Sequence, residues 1–180
     1  PLFSRFVSLE SQLNYNIKKI NNKKQKVILD YCVEFDNDTQ KVFNKLIETI
    51  NKYPNNTIAI KLSALGLNTY NENITDTYCN KIIEEAIKNN VKVLIDAETN
   101  ELHKSINAIS DNLLTKYNTK NTYVYKTYQM YRRDSYNHLI SDIDMYNTNN
   151  INLGMKMVRG AYYNQEKNMG HLYNSITDTH

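Results

Sequence analysis

The chain of 180 residues has two cysteines, Cys32 and Cys79, in no CxxC spacing, which argues against a disulfide framework. Its four histidines, His103, His138, His171 and His180, fall in unrelated contexts, so no metal site is expected. Glycine is scarce at 4 residues, and no GxGxxG opens a helix, which weighs against a dinucleotide-binding open sheet. No segment approaches the roughly 18 consecutive apolar residues of a membrane span. An excess of one charge is missing too. The 22 Lys and Arg against 19 Asp and Glu leave +3 spread along the chain, and no nucleic-acid partner is expected. Lys18-Lys19 and Lys23-Lys24 with Lys26 read as solvating a helix end and the loop after it. The opening Pro1-Leu2-Phe3-Ser4-Arg5 is neither an initiator methionine nor a signal peptide, so the chain reads as cut there.

What is present is a regular alternation. A hydrophobic content of 41% is enough for the core of one domain over 1–180. Short β-rich runs at 27–31, 58–65, 91–95, 122–131 and 153–163 read as strands buried on both sides. Between them, 40–51 places Val42, Phe43, Leu46, Ile47 and Ile50 on one helical face, and 76–89 does so with Tyr78, Ile82, Ile83 and Ile87. Segments 98–114 and 135–146 read as further helices, with Asp134 or Ser135 capping the last. Strands and helices repeating at roughly 30 residues favour parallel βα units. The fold class is α/β, a (β/α)8 TIM-type barrel represented by about five units.

Unusual polar residues gather at the strand ends: Asp30, Lys61, Asp96, Gln129, Lys156 and Arg159. In a barrel, the loops at those ends build the site. Lys61 interrupts a buried apolar run, so it either meets an anion in a wet cavity or snorkels to solvent. Asp96 and Glu98 follow the third strand, and the role of helix N-cap suits Glu98 better than Asp96. Gln129 is an amide among aromatics, suited to a heteroaromatic ring edge. Arg132-Arg133 reads as the solvated start of a loop. Lys156 and Arg159, three apart, point to opposite faces of a regular strand unless a bulge near Val158 turns one. Gly160-Ala161 lets a flat or phosphorylated ligand approach the backbone.

In order along the chain, Leu29-Asp30-Tyr31-Cys32-Val33-Glu34, Lys61-Leu62-Ser63-Ala64-Leu65, Ile95-Asp96-Ala97-Glu98, Tyr128-Gln129-Met130-Tyr131 and Lys156-Met157-Val158-Arg159-Gly160-Ala161-Tyr162 resemble the FAD-dependent proline dehydrogenase family, in its mitochondrial branch. The resemblance implies a barrel holding FAD at its C-terminal mouth, oxidising L-proline to Δ1-pyrroline-5-carboxylate and passing electrons to a quinone. It implies Asp96 and Lys156 as catalytic, and Lys61 as the lysine on the proline carboxylate. Leu65 and Tyr163 are possible walls of the substrate site. It further implies Ala97, Gln129, Arg159, Gly160 and Ala161 at the cofactor, with no metal. A mitochondrial location on the matrix side of the inner membrane, with peripheral membrane association of the full-length enzyme, follows from the same resemblance. The family's Tyr-x-x-Arg-Arg motif lies on an eighth helix, for which Arg132-Arg133 is no substitute. Ser175 to His180 resembles the segment leading into the fifth helix, so the chain reads as the N-terminal part of the barrel, inactive alone. Alternatives are a hydroxyproline dehydrogenase, a non-catalytic barrel fragment that binds a partner through its open edge, or a barrel lyase with Lys61 or Lys156 as a Schiff-base lysine.

Overall fold

The computed structural model describes residues 7–32, 38–68 and 73–175, with the backbone alone at 73 and 74. The expectations for Pro1 to Arg5, for Val33 and Glu34 of the first motif, and for 176–180 lie outside the described residues. Helix α1 (Glu10–Asn21) precedes five alternations: β1 (Ile28–Asp30), α2 (Thr39–Lys52), β2 (Thr57–Ile60), α3 (Asn73–Lys88), β3 (Lys92–Ile95), α4 (Asn100–Tyr117), β4 (Val124–Gln129), α5 (Ser135–Thr148), β5 (Gly154–Val158) and a short α6 (Tyr163–Glu166). The strands form one parallel sheet in the order β1-β2-β3-β4-β5. Five consecutive βα units of this kind are part of an α/β barrel.

The register divides the side chains cleanly. Ile58 pairs with Val93 and Val93 with Val124, while Ile60 pairs with Ile95; all five lie in the hydrophobic core with Leu46 and Ile50 of α2, Ile82 and Ile83 of α3, and Ile106 and Leu113 of α4. This is the helix-covered face. The other face carries Asp30, Ala59, Leu94, Tyr125 and Gly154 as lateral partners, and the period of two extends it to Lys61, Asp96 and Lys156.

Local chemistry sets the joints. Asp38 caps α2 by accepting from Lys41 N at 2.9 Å. The side chain of Asn118, fully buried, accepts from Tyr123 N and Val124 N and donates to Val124 O and Asn152 O, joining the end of α4 to the starts of β4 and β5. A Cβ at Gly154 would stand 2.3 Å from Val124 O, so close strand approach requires glycine at the start of β5.

Three strand expectations overran, that for β4 by two residues at each end of 122–131. β2 stops at Ile60, and Ser63–Leu65 forms a 3₁₀ turn closed by Gly66 at φ 96°. The apolar run continues because Leu62, Ala64 and Leu65 are buried in that turn, not because the strand continues. β5 ends at Val158, leaving 159–163 in the loop and the first residue of α6. Asp134 stands at the cap position of α5, but its carboxylate bonds Arg132, and Ser135 Oγ donates to Gln129 O at 2.7 Å.

Under the helices lies a buried ionic network that the sequence reading missed. Lys126 Nζ donates to Asp111 Oδ1 (2.6 Å) and Asp142 Oδ2 (2.8 Å), Tyr128 donates its hydroxyl to Asp142 and Tyr146 its own to Asp111. Lys126 is 1% exposed, and the two carboxylates satisfy its ammonium. His103 on α4 stands near this layer; burial, then the charge of Arg132, pushes its pKa down from 6.5 to about 4. A histidine depressed in the folded state takes up its proton on unfolding, so stability falls as pH drops from 6.5 towards 4, by at most about 3 kcal/mol. Melting curves between pH 7.5 and 4.5 should show that slope, and H103Q should flatten it.

Candidate active site at the C-terminal ends of the strands

The sheet's uncovered face brings together four charged side chains, three from the ends of β1, β2 and β3 and Lys156 from within β5. Lys61 Nζ donates to Asp30 Oδ2 at 3.3 Å and to Asp96 Oδ2 at 3.4 Å, and Lys156 Nζ donates to Asp96 Oδ1 at 2.5 Å. The result is an alternating row, Asp30, Lys61, Asp96, Lys156, of zero net charge. Asp96 stands at its centre with one oxygen on each ammonium. Side-chain exposures of 13% for Asp96 and 14% for Lys61 make these half-desolvated pairs, while Lys156 at 32% remains open to a ligand. Burial opposes the charge of Lys61, but Asp30 and Asp96 outweigh it and raise its pKa, so the ammonium persists across physiological pH.

Asp30 is held for this contact by its own turn, since its other oxygen accepts Cys32 N at 2.7 Å where Cys32 adopts φ 44°. The sequence placed Asp30 at the mouth without a role, and its lateral alignment with Ala59, two residues before Lys61, is the signal that assigns one.

Beside this row the β3–α4 joint and the end of β4 interlock. Gln129 is buried, and its Nε2 donates to Glu98 O at 3.0 Å. Glu98 is 1% exposed and is not the helix cap; Thr99 holds that position, while the Glu98 carboxylate accepts Ser63 N at 3.0 Å and the Ser63 hydroxyl. Burial of Glu98 against the turn after β2 overrides the N-cap expectation. Ala97 is half-buried between Asp96 and Glu98.

The remaining sequence candidates separate. Leu65 is fully buried within the core and has no surface at the mouth, which corrects its reading as a substrate wall. Tyr163 opens α6 and is half-buried. Arg159 and Ala161 are exposed, and Arg159 stands outside the Lys61–Asp96–Lys156 row. The Cβ direction of Gly160, at φ 134°, is filled: a Cβ there would lie 2.4 Å from two ring carbons of Tyr131. Glycine is required at 160 by an aromatic ring of the same chain, which is a different reason from approach by a ligand. Arg132 is likewise not a solvated loop residue. It is buried, with Nε and Nη2 on Asp134 and Nη1 on Asn100 Oδ1 at 2.7 Å, whereas Arg133 is exposed.

The charged row alone names no reaction, but the whole chain points to one lineage. The sequence model of the family described as proline dehydrogenase matches residues 13–175. The chain belongs to the proline dehydrogenase family. Among individual relatives of this family, it is 33% identical over 88 residues to a mitochondrial proline dehydrogenase 1 of Drosophila melanogaster, covering 49% of this chain and 13% of that protein. It is 30% identical over 89 residues to a hydroxyproline dehydrogenase of Xenopus laevis, covering 49% of this chain and 19% of that one. The backbone superposes on proline utilization A from Bdellovibrio bacteriovorus inactivated by N-propargylglycine with a TM-score of 0.81 over 94% of this chain and 22% of that chain, at 14% identity. That likeness establishes the fold. The chain thus spans about a fifth or less of the length of these proline dehydrogenase relatives.

Proposed function

We propose that this chain supplies the first five βα units of an FAD-dependent barrel that oxidises L-proline to Δ1-pyrroline-5-carboxylate and passes the electrons to a quinone. The observation that carries it is the Lys61–Asp96–Lys156 row on the sheet face away from the helices. Proline is a small zwitterion, and the Lys61 ammonium, kept charged by Asp30 and Asp96, is suited to its carboxylate. Asp96 is the catalytic aspartate of this reading, holding both lysines in place and offering a carboxylate near the substrate's ammonium.

The donor set suits FAD. Lys156 presents a partly open ammonium on the inner wall, Arg159 an exposed guanidinium just beyond β5, and Gln129 an amide whose nitrogen is already engaged, leaving its oxygen for a ring N–H. When bound, the flavin supplies the acceptor for the hydride equivalent leaving the substrate carbon. Lys156 would then set a positive charge beside a ring that becomes electron-rich, a preorganised arrangement. Ala97, Gly160 and Ala161 would line the cofactor with backbone, and Tyr163 would close one wall.

Mitochondrial proline dehydrogenases among the relatives support a mitochondrial location; peripheral association at the matrix side of the inner membrane, for access to quinone, is part of the same proposal. Among the described residues no helix is long and apolar enough to cross a membrane. Hydroxyproline dehydrogenases stand at nearly the same identity, 30% against 33%, so the competing substrate is hydroxyproline. Steady-state assays of the whole polypeptide with a soluble quinone should give a higher kcat/KM for L-proline than for hydroxyproline. The reverse order reassigns the substrate, and turnover of neither removes the enzymatic reading.

A further inference from the structure

We infer that Glu166 is the positioning residue of the cofactor wall, a role that rests on the flavoenzyme reading above. Its carboxylate is 1% exposed on the single-turn α6, yet no local sequence pattern marks it. Oε1 accepts the N–H of Asn100, first residue of α4, at 2.7 Å. The opening N–H groups of a helix lack intrahelical partners, and Thr99 at the cap position offers no side-chain bond, so a carboxylate from 66 residues away does the capping. Oε2 accepts the Tyr131 hydroxyl at 2.7 Å and lies 3.0 Å from His171 Nε2.

One carboxylate therefore ties three loops. Asn100 opens α4 directly after the loop that carries Asp96 and Ala97, Tyr131 follows Gln129 at the end of β4, and α6 follows Arg159, Gly160 and Ala161. These are the segments to which the flavin contacts were assigned. The mechanical link to the last of them is direct: the Tyr131 ring fills the space where a Cβ of Gly160 would stand, and Tyr131 N donates to Arg159 O at 2.7 Å. Burial, followed by the bond to Glu166, raises the Tyr131 pKa, so the phenol keeps its proton and remains the donor. The segment after α6 completes the clamp through an isolated antiparallel bridge of Leu172 with Arg132, with Tyr173 N donating to Tyr131 O and Arg133 N to His171 O. Glu166 thereby sets the distance between the three walls without touching the ligand itself.

The test uses the whole polypeptide with E166A, E166Q, Y131F and, as a control of comparable burial on the helix side, Y146F, which loses the hydroxyl on Asp111. Amide hydrogen exchange at 159–161 is read in the flavin-free protein, and the FAD dissociation constant by reconstitution. E166A and Y131F should speed exchange at 159–161 at least about tenfold over Y146F, and E166A should weaken FAD binding by at least about tenfold. E166Q, which keeps an acceptor oxygen for one donor, should fall between E166A and the parent in both readouts. Exchange at 159–161 in E166A and Y131F no faster than in Y146F overturns the inference. Should E166A fail to fold, Y131F decides alone, because it keeps the ring on Gly160. If the parent takes up no FAD, the flavoenzyme reading fails, while the exchange arm still decides the clamp.

Discussion

Replacing Asp96 by alanine in the whole enzyme should lower kcat/KM for proline by about 100- to 1,000-fold, the scale set by stripping a partner from a partly buried ion pair. The loss has two sources. Two ammonium groups, from Lys61 and Lys156, would remain within one cleft without the carboxylate that now takes both, at 3.4 and 2.5 Å. Lys61 would also titrate differently. Its raised pKa reflects burial, which lowers it, overcome by Asp30 and Asp96, which raise it. Without Asp96 the opposing contributions shift towards burial and the pKa falls. On the proposed role of Lys61 at the proline carboxylate, which needs the charged form, the alkaline limb of the kcat/KM profile should move to lower pH in D96A. D96N should do the same, because it restores size but no charge. Stopped or steady-state rates between pH 6 and 11 check both points; an alkaline limb that stays in place in D96A would separate Lys61 from substrate binding.

Gly160→Ala should be among the most damaging single methyl additions in the described chain, alongside Gly154→Ala. The added carbon would lie 2.4 Å from Cδ1 and Cε1 of Tyr131 and 2.6 Å from Cγ, on a backbone held at φ 134°. Both the clash and the strained conformation count, and together they should cost about 2–4 kcal/mol of stability. The two can be told apart. In the double variant with Tyr131→Ala the ring is gone and the steric part vanishes, yet about 1–2 kcal/mol should remain from the backbone conformation. Denaturant midpoints for the two single variants and the double variant measure the difference; a G160A midpoint equal to that of the parent would contradict this packing.

The fold was legible because its signal is periodic. Helices α2 and α3 repeat apolar residues at 3.6 spacing, and Val93 and Ile95 of β3 with Val124 of β4 are apolar on the face that the helices cover, so length and alternation suffice to order them. The extent of β2 was not, because Leu62, Ala64 and Leu65 are as buried in a turn as they would be in a strand. Lys61, Asp96 and Lys156 were legible as a set from the cost of burying charge at strand ends. The same reasoning applied to Lys126, a lysine in the middle of a β-rich run, would have exposed the Asp111–Lys126–Asp142 network. Glu98, Arg132 and Glu166 were not legible. Each is buried by a partner 32 to 66 residues away, at Ser63, Asn100 or Tyr131, and spacing along the chain carries no trace of such contacts.

The relation between the charged row and redox chemistry can be read from a single absorbance trace. The whole polypeptide, purified with its flavin and made anaerobic, is titrated with L-proline while the visible flavin band is followed. Bleaching of the band by L-proline in the parent protein, and its loss in D96A that still retains flavin, is the predicted result. A protein that carries no flavin, or whose flavin stays oxidised at saturating proline, would contradict the assignment of this site to proline oxidation.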